Sequence, residues 1–254
     1  MQQSIRDFPL WIVIIAVILA VGGLYALSKP EIRGYYANAL SFIIPGAWIT
    51  LQVTFLSYLL ALIIGLFVGL MRLSANPILF HVATVYVEVM RGLPMLVIVL
   101  YAGFVVRPLL RDATGGLIDP SMMTGAIVGL GVGYGAFLSE VFRSGIQSIS
   151  KGQIEAARSL GMTYTQAMIH VILPQAIRII LPPLGNDLIA LLKDSALVAV
   201  LAIPDTLQLG RLWISRTFRA IEGYNTVALF YLGMTVMLSL IVGMIERRVR
   251  TGGH

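Results

Sequence analysis

From Trp48 to Met71 the chain runs for 24 residues without a charged side chain. About 20 helical residues cross about 30 Å of hydrocarbon, so this stretch alone is long enough to span a bilayer. Five further apolar runs follow the same rule: Leu10–Leu27, about Val82–Val106, Met122–Phe142, about Leu184–Ala202 and Thr226–Ile245. Inside lipid, every backbone N–H and C=O has to find its partner within the protein, which leaves helices or closed barrels. Long unbroken runs, rather than ten-residue alternation, select helices. The sequence therefore predicts an all-α integral membrane protein with about six transmembrane helices.

The first run, Leu10–Leu27, exceeds the roughly 7–15 apolar residues of a secretory signal, so a retained anchor is expected there. Only 12% of the residues are charged, against roughly a quarter in soluble domains. The net charge of +6 is then a matter of topology, not of nucleic-acid binding. Six spans put both termini on one side. That side carries Arg6, Arg72, Arg91, Arg143, Lys151, Arg158, Arg178, Arg247, Arg248 and Arg250, and the other carries Lys29, Arg33, Arg107, Arg111, Arg211, Arg216 and Arg219. The excess points to cytoplasmic ends. With no cysteine and three scattered histidines, neither a disulfide nor a metal site is expected.

Between the spans lies a polar segment, Arg143–His170, too long to be a simple turn. It holds Glu155-Ala156-Ala157, then Gly161, then Leu173-Pro174. Alanines favour a helix with little bulk, fit to lie in a partner's groove. Glu155 is expected at the helix start, facing the positive dipole end, and Gly161 at its end, in positive φ. Residues 163–170 are expected to restart as a helix. An ordinary amphipathic surface helix is the plain alternative.

Ionisable residues inside spans face a cavity or one another. The ionisable residues so placed are Glu88, Arg91, Glu140, Asp187, Lys193 and Asp194, and the candidates for a substrate pathway are Glu88, Arg91, Asp187, Lys193, Asp194 and Ser195. Asp187 and Asp194, seven apart, share one helix face. Lys193 and Asp194 are adjacent and diverge, whereas Glu88 and Arg91, three apart, are expected to pair. Two readings stand for Asp194 with Ser195: a pathway lining that meets an α-amino group, or an ion-pair network that sets helix register. Arg91-Gly92-Leu93-Pro94 reads as a proline kink or as a hinge. A break is expected near Pro182-Pro183. Gly65/Gly69 and Gly125/Gly129/Gly133 mark close helix packing. The polar stretch Asp205–Tyr224, with three arginines, is expected to be an outer loop and suits either an acidic partner protein or lipid headgroups.

The 155–174 pattern resembles the loop of bacterial ABC importer permeases: Glu-Ala-Ala, three residues, Gly, nine residues, Ile-x-Leu-Pro. Val171 stands here for the isoleucine. Tyr134–Arg143, Gln147-Ser148-Ile149, Lys151-Gly152-Gln153, Leu192-Lys193-Asp194-Ser195 and Arg91-Gly92-Leu93-Pro94 are similar to the polar amino acid branch. In that branch the residue at Leu93 is usually threonine, so a polar contact is lost. The resemblance covers about residues 48–248.

It implies a five-helix permease core at 36–254, with a cytoplasmic coupling loop at about 143–174 and an additional anchor at 1–35. It implies that Glu155, Ala156, Ala157, Gly161, Leu173 and Pro174 engage ATPase subunits. ATP and Mg would be held by those subunits, this chain being no enzyme and carrying no cofactor. The other implied partners are a second permease subunit, identical or homologous, an extracytoplasmic amino-acid-binding protein, and lipid. The implied location is the bacterial cytoplasmic (inner) membrane. No Gly-x-x-x-x-Gly-Lys-Ser/Thr loop occurs, which fits ATP hydrolysis elsewhere. A secondary transporter would show inverted repeats, and a channel subunit would not need the 155–174 loop.

Overall fold

The computed structural model describes residues 29–251. The expected anchor at Leu10–Leu27 lies outside the described residues. The elements are helical: α1 (Pro30–Met71), α2 (Pro77–Gly92), α3 (Met95–Tyr101), α4 (Arg107–Ala113), α5 (Met122–Gln147), α6 (Lys151–Ser159), α7 (Tyr164–Ala167), α8 (Leu173–Asp194), α9 (Thr206–Thr217) and α10 (Ala220–Thr251). Single π-helical turns join α3 to α4 and α7 to α8, and a 3₁₀ segment, Ser195–Leu201, extends α8.

Among the described residues four stretches are long and apolar enough to cross a membrane: Pro30–Met71, Met122–Gln147, Tyr164–Leu201 and Ala220–Arg248. The span expected at about Val82–Val106 is not one straight helix. It is broken between α2 and α3, whose axes meet at 105°. That is far sharper than a proline kink. Leu93, at φ −98° and ψ 139°, is extended, as the residue before a proline prefers. Pro94 then starts α3 afresh.

Three other expectations are corrected. α1 begins 18 residues before Trp48 and passes through Pro45. Its length is about 63 Å at 1.5 Å per residue, roughly twice the hydrocarbon thickness. α8 also continues through Pro182 and Pro183. Proline's φ is compatible with a helix, and membrane helices tolerate the lost donors where neighbours hold them. Here Ile180 is buried, Leu184 packs on the cluster of Ala61, Tyr134, Leu138 and Leu191, and the Tyr58 hydroxyl donates to the Leu184 carbonyl at 2.8 Å. Finally, most of the polar stretch after Asp205 is helix α9, not loop.

α5 is the central helix and packs against α1, α2, α3 and α8. In lipid the apolar surface gains nothing by leaving its solvent, so close backbone approach carries the packing. The glycine rows provide it. A Cβ on Gly65 would lie 2.7 Å from Leu138, and one on Gly69 2.9 Å from the Ser139 carbonyl. The main core gathers Val53, Val99, Ala126, Leu130, Val198, Leu201 and Ile203.

Among the described residues, members of the two charge groups lie at opposite ends of α1. At its start, Arg219 stacks 4.3 Å over Tyr35 and Arg216 5.2 Å over Phe42. Beyond its far end, Arg72 pairs with Glu140. α9 is fixed to α1 by buried polar groups. The Thr206 N–H donates to Thr50 Oγ1 at 3.2 Å, and Asp205 accepts from Leu207 N–H, Gln208 N–H and the Tyr231 hydroxyl. Burial pushes the Asp205 carboxyl up, against these bonds, which favour its charged form.

Candidate functional site

The polar segment between α5 and α8 folds into a compact foot. The Ser150 side chain accepts from Gly152 N–H at 3.3 Å and caps α6. Gly161, at φ +85°, ends it. Met162 N–H reaches Ala157 O at 3.2 Å and Gly161 N–H reaches Arg158 O at 3.0 Å, the paired bonds of a Schellman motif. Thr163 then opens α7 with a capping box. Its N–H donates to Gln166 Oε1 at 2.9 Å, and its hydroxyl accepts from Gln166 N–H at 3.3 Å. One helix end and one helix start are thus locked within three residues, Gly161-Met162-Thr163.

Glu155 is the fifth residue of α6, not its first turn. The dipole argument for it therefore fails, because the field falls off within that turn. Glu155, Ala156 and Gly161 are exposed, but Ala157 is only 4% exposed. Ala157 faces its own chain, where α6 folds back on residues 164–172. Leu173 and Pro174 are exposed in the first turn of α8. The sequence reading missed Leu160, which projects from the foot at 82% exposure beside Tyr164 at 60%. An apolar residue next to the terminating glycine was the available signal.

A second site lies deeper. A cavity of about 280 Å³ is lined by Leu93, Met95, Tyr134, Phe137, Asp187, Ala190 and Asp194. Helix α8 supplies Asp187, Ala190 and Asp194 from one face, α5 supplies Tyr134 and Phe137, and the α2–α3 break supplies Leu93 and Met95. None of the lining residues is basic. The Tyr134 hydroxyl donates to Asp194 Oδ2 at 2.8 Å.

The structure thus brings Asp187 and Asp194 together and separates the other candidates from them. Lys193 is exposed and does not line the cavity. Ser195 is fully buried and donates to the Leu192 carbonyl at 2.8 Å, within its own helix. Glu88 is exposed on α2. The expected Glu88–Arg91 pair does not form. Arg91 turns instead to Glu140 on α5, at 3.6 Å, and stacks 5.8 Å over Phe137. A cation there gains both a carboxylate and a ring face. Glu140 was legible as an ionisable residue inside a span, but Tyr134 and Phe137 only as similarity to a family segment, since nothing in their spacing predicts which helices they meet.

A broken span, a glycine-packed helical core and a capped foot between spans describe a helical membrane subunit. Residues 61–251 match the family model described as "Binding-protein-dependent transport system inner membrane component". The chain belongs to this family. It is 39% identical over 211 residues to the "Probable glutamine ABC transporter permease protein GlnM" of Bacillus subtilis (strain 168), covering 82% of this chain and 94% of that one. It is 38% identical over 212 residues to the "Glutamine transport system permease protein GlnP" of Escherichia coli (strain K12), covering 84% and 94%. Its fold is similar to that in "Crystal structure of an amino acid ABC transporter with histidines", with a TM-score of 0.74, 38% identity, and coverage of 82% and 94%.

Proposed function

We propose that this chain is the permease subunit of an ATP-driven importer of polar amino acids. The observation that carries the coupling half of this reading is the foot. α6 is capped at both ends, folded back on its own chain through Ala157, and still presents Glu155, Ala156 and Leu160 outward. A rigid, short helix between spans suits insertion into a partner's groove.

Two ATPase subunits hold the feet of two permease subunits, identical or homologous, on the cytoplasmic side. ATP and Mg bind in those ATPases. An extracytoplasmic binding protein delivers the solute on the opposite side. Closure of the ATPases moves the feet, and the spans follow as rigid bodies. This drives transport only if the foot contacts the ATPase differently in the two states.

The substrate half rests on the relatives, whose names specify glutamine and amino acids, and on the acidic cavity. A passing α-ammonium group finds Asp194 there, its carboxylate already oriented by Tyr134. Arg72, Arg91 and Arg143 at the foot's end of α1 support a cytoplasmic foot.

The test is uptake into proteoliposomes holding the permease, its ATPase and the binding protein, with a labelled panel of glutamine, histidine, arginine and glutamate. ATP-dependent accumulation of at least one of them is expected. Accumulation that is independent of ATP or of the ATPase subunit would reject the reading.

A further inference from the structure

Four charged side chains outside the cavity converge where α1, α2 and α5 meet. Glu140 Oε2 accepts from Arg143 through Nε at 2.9 Å and Nη2 at 2.7 Å. Its Oε1 accepts from Arg72, at the C-cap of α1. The third guanidinium, Arg91 in the last turn of α2, stands 3.6 Å from the same Oε1.

The three arginines are not equivalent. Arg72 is half-buried, with 11% of its side chain exposed. Arg143 is chelated, because it also donates to Gln147 Oε1 at 2.5 Å. Charge-assisted bonds of this kind are the strong ones, so Glu140 moves with α5 and with the end of α1. Arg91 is 46% exposed, and its 3.6 Å contact exceeds hydrogen-bond length. An exposed pair of that kind is weak and opens at little cost.

Its position gives that weakness a use. Arg91 immediately precedes the Gly92-Leu93-Pro94 break, where the chain turns through 105°. Its guanidinium rests on Phe137, and both Phe137 and Leu93 line the aspartate cavity. Phe137 and Glu140, three apart on α5, share a helix face. Two turns beyond Glu140, α5 ends at Gln147, and Ser150 caps the foot. A solute in the cavity therefore meets Phe137, on which Arg91 rests, and Leu93, two positions beyond Arg91.

We propose that Arg91 is a positioning residue that links the cavity to the foot. Its contact with Glu140 fixes the angle between α2 and α5 in one state of the pathway and is released in the other. The proposal rests on the permease reading above.

The chain has no cysteine, so spin labels can be placed cleanly by Glu88→Cys on α2 and Ser144→Cys on α5, both exposed. The full complex in proteoliposomes carries both readouts. Arg91→Gln is expected to keep assembly and basal ATP hydrolysis, and to lose about tenfold of the stimulation by glutamine-loaded binding protein. Arg91→Lys, which keeps the charge, restores most of it. In the otherwise unaltered chain the label distance shifts when glutamine is added, and Arg91→Gln abolishes the shift.

Full stimulation in Arg91→Gln overturns the proposal. So does a label distance that ignores glutamine. Equal loss of assembly and basal hydrolysis in both variants overturns it too, by showing a structural role. If the unaltered complex shows no stimulation at all, the coupling reading fails, and the label distance with glutamine alone still decides the role of Arg91.

Discussion

The Tyr134 hydroxyl donates to Asp194 Oδ2 at 2.8 Å, across 60 positions of sequence. It joins α5 to α8 inside the cavity that Asp187 shares. This contact serves either of two ends: it orients a carboxylate for a solute, or it holds two helices in register. The two make opposite predictions. If Asp194 meets the α-ammonium group, Asp194→Asn raises the KM for uptake roughly tenfold or more, since a hydrogen bond to a charged group is worth about 1.5–3 kcal/mol. Thermal stability in detergent then stays level, because asparagine still accepts from Tyr134. Tyr134→Phe has the smaller effect on KM. A register role reverses the pattern: uptake kinetics hold, and the melting temperature falls in Tyr134→Phe. Paired uptake and melting measurements on both variants separate the two.

The foot predicts a graded series at Gly161. Its φ of +85° lies where L side chains are strained, and a Cβ there would meet nothing within 4 Å. The penalty for a side chain is therefore backbone energy, about 1–2 kcal/mol. Asparagine tolerates this region and a β-branched residue does not. ATPase retention on the purified permease should fall in the order Gly161→Asn, Gly161→Ala, Gly161→Val. Gly161→Asp and Glu155→Lys, which also alter charge at the proposed contact, are expected to abolish uptake while membrane insertion, read by fractionation, stays normal. Equal retention across the series would remove the foot from the coupling path.

What the sequence disclosed follows the range of the forces involved. The spans were visible because apolar length is a local property, and the foot's ends because Gly161 and Thr163 carry their own capping chemistry. The sharp bend at Leu93 was visible as a weakness but not as 105°, since the angle is set by what α2 and α3 pack against. Pro182-Pro183 misled in the other direction. Each removes a donor, yet neighbours of Leu184 hold the helix through the defect. α9 was hidden because its N-terminal donors are satisfied by Thr50, 156 positions away, as well as by its own Asp205. The Arg91–Glu140 contact was unreadable for the same reason. Helix spacing offered Arg91 the nearer carboxylate of Glu88, and packing supplied a different one.

Close approach of α1 to α9 predicts opposite outcomes for two glycines on one helix. A Cβ on Gly46 would sit 2.6 Å from both Asp205 C and Thr206 N. Those are backbone atoms, which cannot swing aside. Gly46→Ala should destabilise by about 1–3 kcal/mol, the usual scale of overpacking, or displace α9. Gly34 has nothing within 4 Å, so Gly34→Ala gains about 0.5–1 kcal/mol of helix propensity instead. Tryptophan fluorescence melts in detergent, with Trp213 on α9 as a native reporter, check both signs. A Gly46→Ala protein as stable as the unaltered chain would disprove the contact.

The start of α9 depends on two residues acting together. A helix leaves its first N–H groups without internal partners. Here Thr50 accepts from Thr206 N–H at 3.2 Å, and Asp205 accepts from Leu207 N–H at 3.3 Å and Gln208 N–H at 2.8 Å. Both caps are fully buried, so water cannot replace them. Thr50→Val keeps the shape but strands the Thr206 N–H, at a cost of about 1–3 kcal/mol. Thr50→Ser keeps the acceptor and should cost less. Asp205→Ala loses two cap bonds and leaves the Tyr231 hydroxyl, 3.0 Å from Oδ2, without its acceptor. Asp205→Asn retains a capping oxygen and should fall between Asp205→Ala and the unaltered chain. Because the two residues serve adjacent N–H groups of one helix, Thr50→Val combined with Asp205→Ala should cost less than the sum of the single changes: once α9 has frayed, the second cap has nothing left to hold. Melting temperatures of the four single variants and the double variant test this, and strict additivity would mean that the two caps act independently.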